Sequence, residues 1–302
     1  MTTRTGFEAL GAGGLDWDSL PLRLWRKGNA MFWNAADIDL EQEAAGWATL
    51  GGEDLEAAAT LSAMFLAGEE AVTHDIQPFM SAMTAEGRLG DEMYLAQFCF
   101  EEARHTEAFR RWFDAVGITE DLNPLLDGNA GYRAIFYEAL PEALGALRDD
   151  PSPANQIRAS VTYNHIVEGV LALTGYHAWN MVCQQRGILP GMQSIVRHIG
   201  QDERRHMAWG TYTCRRHVAA DESLWAVVED TMADLLPKAL EAIAFLEKYD
   251  HPLGLDVQDF VMYAGERATR RLGAISSAMG QDVADVELDD APVALEDELA
   301  SA

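Results

Sequence analysis

Glutamate and histidine stand three residues apart in two similar motifs of this chain, Glu101-Glu102-Ala103-Arg104-His105 and Asp202-Glu203-Arg204-Arg205-His206. On an α-helix, positions i and i+3 lie about 60° apart around the axis on neighbouring turns. Glu102 with His105, and Glu203 with His206, can therefore each reach one ion. A single such pair is an ordinary helix-surface pattern, but two on separate long helices are half of a known arrangement. A di-metal carboxylate bundle takes one inward glutamate from each of two helices and Glu-x-x-His from each of the other two. The single glutamates belong on the helices preceding each motif. Glu69 or Glu70, in an apolar run, precedes the first, and Glu168, within Ile166-Val167-Glu168-Gly169-Val170-Leu171, precedes the second. A carboxylate buried among apolar neighbours is strongly disfavoured unless a cation or proton neutralises it.

The spacings agree between the two halves: Glu69 precedes Glu102 by 33 positions and Glu168 precedes Glu203 by 35. Two similar helix pairs folded face to face bring Glu69 or Glu70 together with Glu102, His105, Glu168, Glu203 and His206 as metal ligands. Imidazole and carboxylate suit iron and manganese, whereas the lack of nearby cysteine disfavours iron–sulfur clusters and structural zinc. His165 and His74 lie close to Glu168 and Glu70 but do not complete the pattern. His177, His198 and His217 read as core or surface histidines.

The elements that must position these residues are helical almost throughout. Apolar residues recur at helical spacing over Gly51–Glu86 and Asp91–Val116, with Gly117 as a stop. A turn-rich connection, Asn123–Gly131, leads to a shorter helix over Tyr132–Leu147. Beyond Pro151 and Pro153, helices are predicted over Ala154–Gln185, Met192–Ala219, Ser223–Lys248 and Val257–Ala278. No stretch alternates with period two for long enough to make a sheet. The fold class is all-α: a four-helix bundle with additional peripheral helices, forming one domain over residues 1–280.

Composition narrows the partners. The net charge of -27 repels nucleic-acid phosphates and anionic lipid, so neither a nucleic acid nor a membrane is expected as the main partner. No apolar run approaches the ~18–20 residues of a membrane span. Met1–Gly14 lacks the order of a secretory signal, so a cytoplasmic location is expected. Residues 281–302 carry eight acids and no Lys or Arg, which reads as an acidic, solvated and disordered tail. Cys99, Cys183 and Cys214 are too few and too scattered for a disulfide framework or a CxxC site, and read as reduced, buried small hydrophobes.

The ordered set Glu69, Glu102-x-x-His105, Glu168, Glu203-x-x-His206 resembles the ferritin-like di-metal carboxylate superfamily. Over residues 20–280 it is similar, more narrowly, to the ligand-binding oxidases related to the small subunit of ribonucleotide reductase. Val72 and Tyr163 carry the narrower resemblance. In that family a valine one turn after the first ligand glutamate is joined through Cβ to the phenolic oxygen of a tyrosine on the third core helix. This relation selects Glu69 over Glu70.

The resemblance implies a heterodinuclear centre of one Mn and one Fe, with Fe/Fe as the alternative. It also implies O₂ activation, a Val72–Tyr163 ether, a long-chain fatty acid-like ligand at the metals, and a homodimer. It names no electron donor. Spacing alone does not place Tyr163 at the site, because five residues on an ideal α-helix turn it about 140° away from Glu168. Asp202 and Tyr176 are candidates for orienting ligands.

The alternatives within the superfamily are a ribonucleotide reductase radical subunit and a di-iron monooxygenase or desaturase; a non-catalytic metal or lipid binder belongs to another class. The radical tyrosine's usual position, four after the first motif histidine, holds Phe109, and residues 281–302 contain no aromatic residue for docking.

Overall fold

The apolar-periodic runs become helices that stop where glycine permits it. Gly117 and Gly187 close two of the long helices at φ of 80° and 64°, left-handed values that cost a residue without Cβ nothing. In the computed structural model, which describes residues 6–301, the first half contains α1 (Leu20–Ala30), α2 (Glu43–Trp47), α3 (Glu53–Asp75), α4 (Gln77–Glu86), α5 (Leu89–Val116), α6 (Ala130–Arg133) and α7 (Leu140–Ala146). The second half contains α8 (Pro153–Ser160), α9 (Leu173–Arg186), α10 (Pro190–Ala220), α11 (Trp225–Ala244), α12 (Val257–Ser276), α13 (Val283–Leu288) and α14 (Ala291–Ser301). A π-helical segment, Val161–Ala172, joins α8 to α9. Residues 1–5, part of the N-terminal segment read above, and Ala302 of the acidic tail lie outside the described residues.

Four helical runs form the centre: α3 packs on α5, and α10 packs on α5, on α9 and on the π-helical segment. The other helices surround them, and the described residues contain no strand. The architecture is a ferritin-like four-helix bundle with peripheral helices. Among the described residues no helix is long and apolar enough to cross a membrane.

A buried carboxylate fixes the register of the two motif helices. Glu43 is fully buried and accepts hydrogen bonds from Trp112 Nε1 of α5 at 2.6 Å and from the backbone N–H of Gly191 at 2.7 Å. Gly191 lies in the first turn of α10, where free N–H groups and the helix dipole favour an anion. α2 thus ties the end of α5 to the beginning of α10.

Three readings of the sequence change. The helix expected over Gly51–Glu86 is two helices, α3 and α4, meeting at Ile76. Pro78 stands in the first turn of α4; it has no N–H to give to the carbonyl four residues back, so the helical hydrogen-bond ladder is interrupted there although Ile76 keeps helical dihedrals. Cys183 and Cys214 are buried free thiols, while Cys99 is only half-buried.

The largest change concerns the acidic tail, which is helical and docked rather than disordered. Arg271 of α12 forms a fork of bonds to Glu296 at 2.8 and 2.7 Å, with both side chains buried. Arg215 pairs with Asp289 at 2.6 Å, and Val286 and Leu299 enter the core. The tail's acids find their cations on distant helices, a pairing that local composition does not express.

Candidate metal centre

The four central runs each contribute to one buried cluster. α3 supplies Glu69, α5 supplies Glu102 and His105, the π-helical segment supplies Glu168, and α10 supplies Glu203 and His206. All six side chains are 0–5% exposed, whereas Glu70 points to solvent. Their donor atoms fall into two groups, each with its atoms within 4.8 Å of one another: Glu69, Glu102, His105 and Glu203; and Glu102, Glu168, Glu203 and His206. Glu102 and Glu203 belong to both.

His105 Nδ1 lies 3.3 Å from Glu69, 3.5 Å from Glu102 and 3.6 Å from Glu203. His206 Nδ1 lies 3.1 Å from Glu102, 3.3 Å from Glu168 and 3.5 Å from Glu203. Two ligand atoms each roughly 2.1 Å from one ion, at right angles, stand roughly 3 Å apart.

The electrostatics fit divalent cations. Both Nδ1 atoms and one oxygen each of Glu102, Glu168 and Glu203 are buried without a hydrogen-bond partner, which is costly unless something else satisfies them. Burial, with added repulsion from Glu203, pushes the Glu168 carboxyl well above its ordinary value. Burial raises Glu69 to about 7 against the opposing attraction of His105. For Glu102 burial is outweighed by His105 and His206, giving about 2. Burial lowers both histidines, but the acids around them dominate and hold their pKa well above the ordinary value. Four carboxylates and two imidazoles can exchange such shared protons for two metal ions.

The outer nitrogens are held by an exchange between helices. Asp202 on α10 lies 3.1 Å from His105 Nε2 on α5, and Glu101 on α5 lies 2.9 Å from His206 Nε2 on α10. Arg205 donates to both acids, at 2.6 Å to Glu101 and 2.7 Å to Asp202. Asp202 also accepts from Trp33 Nε1 at 2.8 Å and Arg104 at 2.7 Å. Burial pushes Asp202 up, but His105, Arg205 and Arg104 outweigh it and hold the carboxyl below the usual carboxylate range. Tyr176 donates to Glu69 at 2.5 Å, and Asn164 donates to Glu168 at 2.9 Å.

Asp202 and Tyr176 are legible in the sequence as candidates; the roles of Glu101, Trp33, Arg104 and Asn164 are not. A signal for Glu101 did exist, since an acid immediately precedes the ligand-type glutamate in both motifs. His165 is buried with neither nitrogen partnered, His74 is exposed, and neither joins the cluster.

Val72 and Tyr163 are both buried beside these acids. Val72 lines an apolar cavity of about 100 Å³ together with Glu69, Glu102, Glu168 and Glu203, walled further by Phe65 and Leu253. The Tyr163 hydroxyl has no hydrogen-bond partner. Burial, reinforced by Glu102 and Glu168, pushes its pKa well above the ordinary value. Its ring meets Phe98 edge-on at 5.5 Å, and Phe98 stacks on His206 at 3.5 Å. The π-helical segment removes the angular objection to Tyr163. In a π-helix residue i bonds to i+5, so Tyr163 and Glu168 lie on neighbouring turns of the same side of the helix, roughly 50° apart.

A helical bundle with paired glutamate–histidine helices around a buried carboxylate cluster defines a class, and the relatives specify it. Residues 19–276 match the ribonucleotide reductase small-chain family. An R2-like ligand-binding oxidase from Sulfolobus acidocaldarius is 36% identical, covers 94% of this chain and 99% of its own, and superposes with a TM-score of 0.82. An R2-like ligand-binding oxidase with an aerobically reconstituted Mn/Fe cofactor is 36% identical over 91% of this chain and 99% of its own, with a TM-score of 0.86. A variant with an aerobically reconstituted Fe/Fe cofactor gives the same four figures. The chain belongs to the R2-like ligand-binding oxidases of the ribonucleotide reductase small-chain family.

Proposed function

We propose that this protein is an O₂-dependent oxidoreductase that holds one Mn and one Fe, with Fe/Fe as the alternative filling. Glu69, Glu102, His105, Glu168, Glu203 and His206 would hold the ions, and Glu102 and Glu203 belong to both groups of donor atoms. One observation carries this reading: two overlapping groups of buried donor atoms, several of them unpartnered, open onto an apolar cavity. The metals, when bound, supply redox equivalents and a site for O₂ that protein side chains lack.

The side chains have distinct roles. Asp202 and Glu101 fix the tautomer and ring orientation of His105 and His206, leaving each Nδ1 lone pair directed inward. Tyr176 and Asn164 hold Glu69 and Glu168. Phe65, Leu171 and Leu253 line the cavity with apolar side chains, a character that suits the chain of a long fatty acid-like molecule, although at about 100 Å³ the cavity must widen to take the whole chain. Its carboxylate end would face the metals, as a charged group is disfavoured among the apolar walls.

Val72 and Tyr163 form an ether in this reading. The bond joins Val72 Cβ to the Tyr163 phenolic oxygen. It removes the Cβ–H and O–H hydrogens as two protons and two electrons, which O₂ accepts. Phe109 supports the oxidase over a radical subunit: it stacks on Phe65 at 5.3 Å and has no hydroxyl to oxidise. A homodimer in the cytoplasm completes the proposal.

Peptide mass spectrometry after aerobic loading with Mn and Fe tests it. A cross-linked species containing the Val72 and Tyr163 peptides, lighter by two hydrogens than their sum, is expected. Separate, unmodified peptides after verified loading would refute the ether.

A further inference from the structure

A second cavity lies across Tyr176 from the carboxylate cluster. α9, α10, α12 and α14 leave a polar cleft of about 670 Å³ whose lining includes Tyr176, while the Tyr176 hydroxyl reaches Glu69. Its size is that of a small-molecule site, roughly 300–1,000 Å³. Its lining differs from that of the apolar cavity. Arg197 and Arg204 of α10 and Arg267 of α12 all line it.

These arginines are unusual in this chain. Lys and Arg number 22 against 49 Asp and Glu, and the arginines built into the interior are paired: Arg104 and Arg205 with Asp202, Arg216 with Glu86, Arg271 with Glu296. Among the described residues, Arg197, Arg204 and Arg267 form no ion pair. Arg197 only approaches Ser194 Oγ at 3.5 Å. Arg267 is 8% exposed; it donates to the Leu299 carbonyl at 3.1 Å and lies 3.4 Å over the Tyr263 ring. Arg204 is partly buried.

Glu296 is the carboxylate on the wall, and Arg271 already engages both its oxygens. Three arginines that line one cleft and are not engaged in ion pairs leave guanidinium donors free for an anion from solution. Guanidinium geometry matches the planar edges of phosphate and carboxylate groups.

We propose that this cleft binds a small anionic molecule carrying a phosphate or carboxylate group, recognised by Arg197, Arg204 and Arg267. Its occupant would lie against one face of Tyr176, the residue that holds Glu69. The site is separate from the apolar cavity and takes ligands of opposite character.

Isothermal titration of the metal-loaded full chain with inorganic phosphate and, separately, with succinate tests the proposal. Both are weak chelators, and chloride keeps the ionic strength constant. Saturable binding of at least one of them, at one site per chain, is expected; the anion that binds identifies the recognised group. Arg197→Gln and Arg204→Gln should each weaken binding about tenfold, the effect of losing a charge-assisted hydrogen bond. Arg197 is exposed, so its replacement leaves folding intact. Arg133→Gln, on α6 and outside the cleft, should leave binding unchanged. No saturable binding by either anion, unchanged affinity in both cleft variants, or an equal loss in Arg133→Gln would overturn the site.

Discussion

Asp202 on α10 holds the outer nitrogen of His105 on α5 at 3.1 Å, and Glu101 on α5 holds that of His206 on α10 at 2.9 Å. Each motif helix therefore orients the histidine of the other. The arrangement couples the packing of α5 against α10 to the direction of both inward nitrogens. Asp202→Ala should leave the helical content unchanged yet lower metal affinity about 10- to 100-fold, the usual effect of removing a ligand's outer partner. Metal retained after dialysis against a graded chelator series measures this. Wild-type retention in the variant would show that Asp202 does not act through His105.

Glu102 belongs to both groups of donor atoms, so its loss should abolish two-metal occupancy. Glu102→Ala is expected to reduce metal content from two ions per chain to one or none, read by elemental analysis of the loaded protein. A retained stoichiometry of two would contradict a bridging role.

The buried pair of Arg271 and Glu296 predicts that the C-terminal helix stabilises the whole bundle. Glu296→Ala leaves the Arg271 guanidinium buried without its carboxylate, a change that costs about 3–5 kcal/mol. A lower urea midpoint and early proteolytic release of residues beyond Ser276 are expected. An unchanged midpoint would return the tail to the solvated state that its composition suggests.

Two histidines set a pH dependence. Burial, with Arg271 adding repulsion, lowers His165 to about 3; burial, with Arg216 and Arg88, lowers His217 to about 2. Unfolded histidine titrates near about 6.5. Between these values the unfolded chain binds protons that the folded chain does not. The contribution is therefore present above about pH 6.5 and is lost as pH falls, at about 1.4 kcal/mol per pH unit for each histidine. Glu69 and Glu168, whose values are raised, act with the opposite sign, so the informative quantity is a difference between chains. With chelator present throughout, the change in urea midpoint between about pH 7 and about pH 5.5 should shift toward greater acid stability in His217→Gln. An identical change in both chains would count against a neutral buried His217.

The sequence by itself determined the helical architecture and the ordered set of acids and histidines. Both follow from local periodicity: apolar spacing marks a helix, and i,i+3 spacing puts glutamate and histidine on one face whatever the helix packs against. It left Glu69 and Glu70 unseparated by residue type, since neighbours on a helix differ by about 100° of rotation that only packing turns into buried or exposed. Tyr163 needed the tertiary structure for a related reason. Its direction depends on the π-helical hydrogen bonding of Val161–Ala172, which amino-acid spacing does not announce. The crossed pairing of Asp202 with His105 and Glu101 with His206, the docking of the acidic tail on Arg215 and Arg271, and the gathering of Arg197, Arg204 and Arg267 on one cleft were decided only by the fold. Each is a relation between charges on different helices, and charge pairing follows distance in space, which composition averages away.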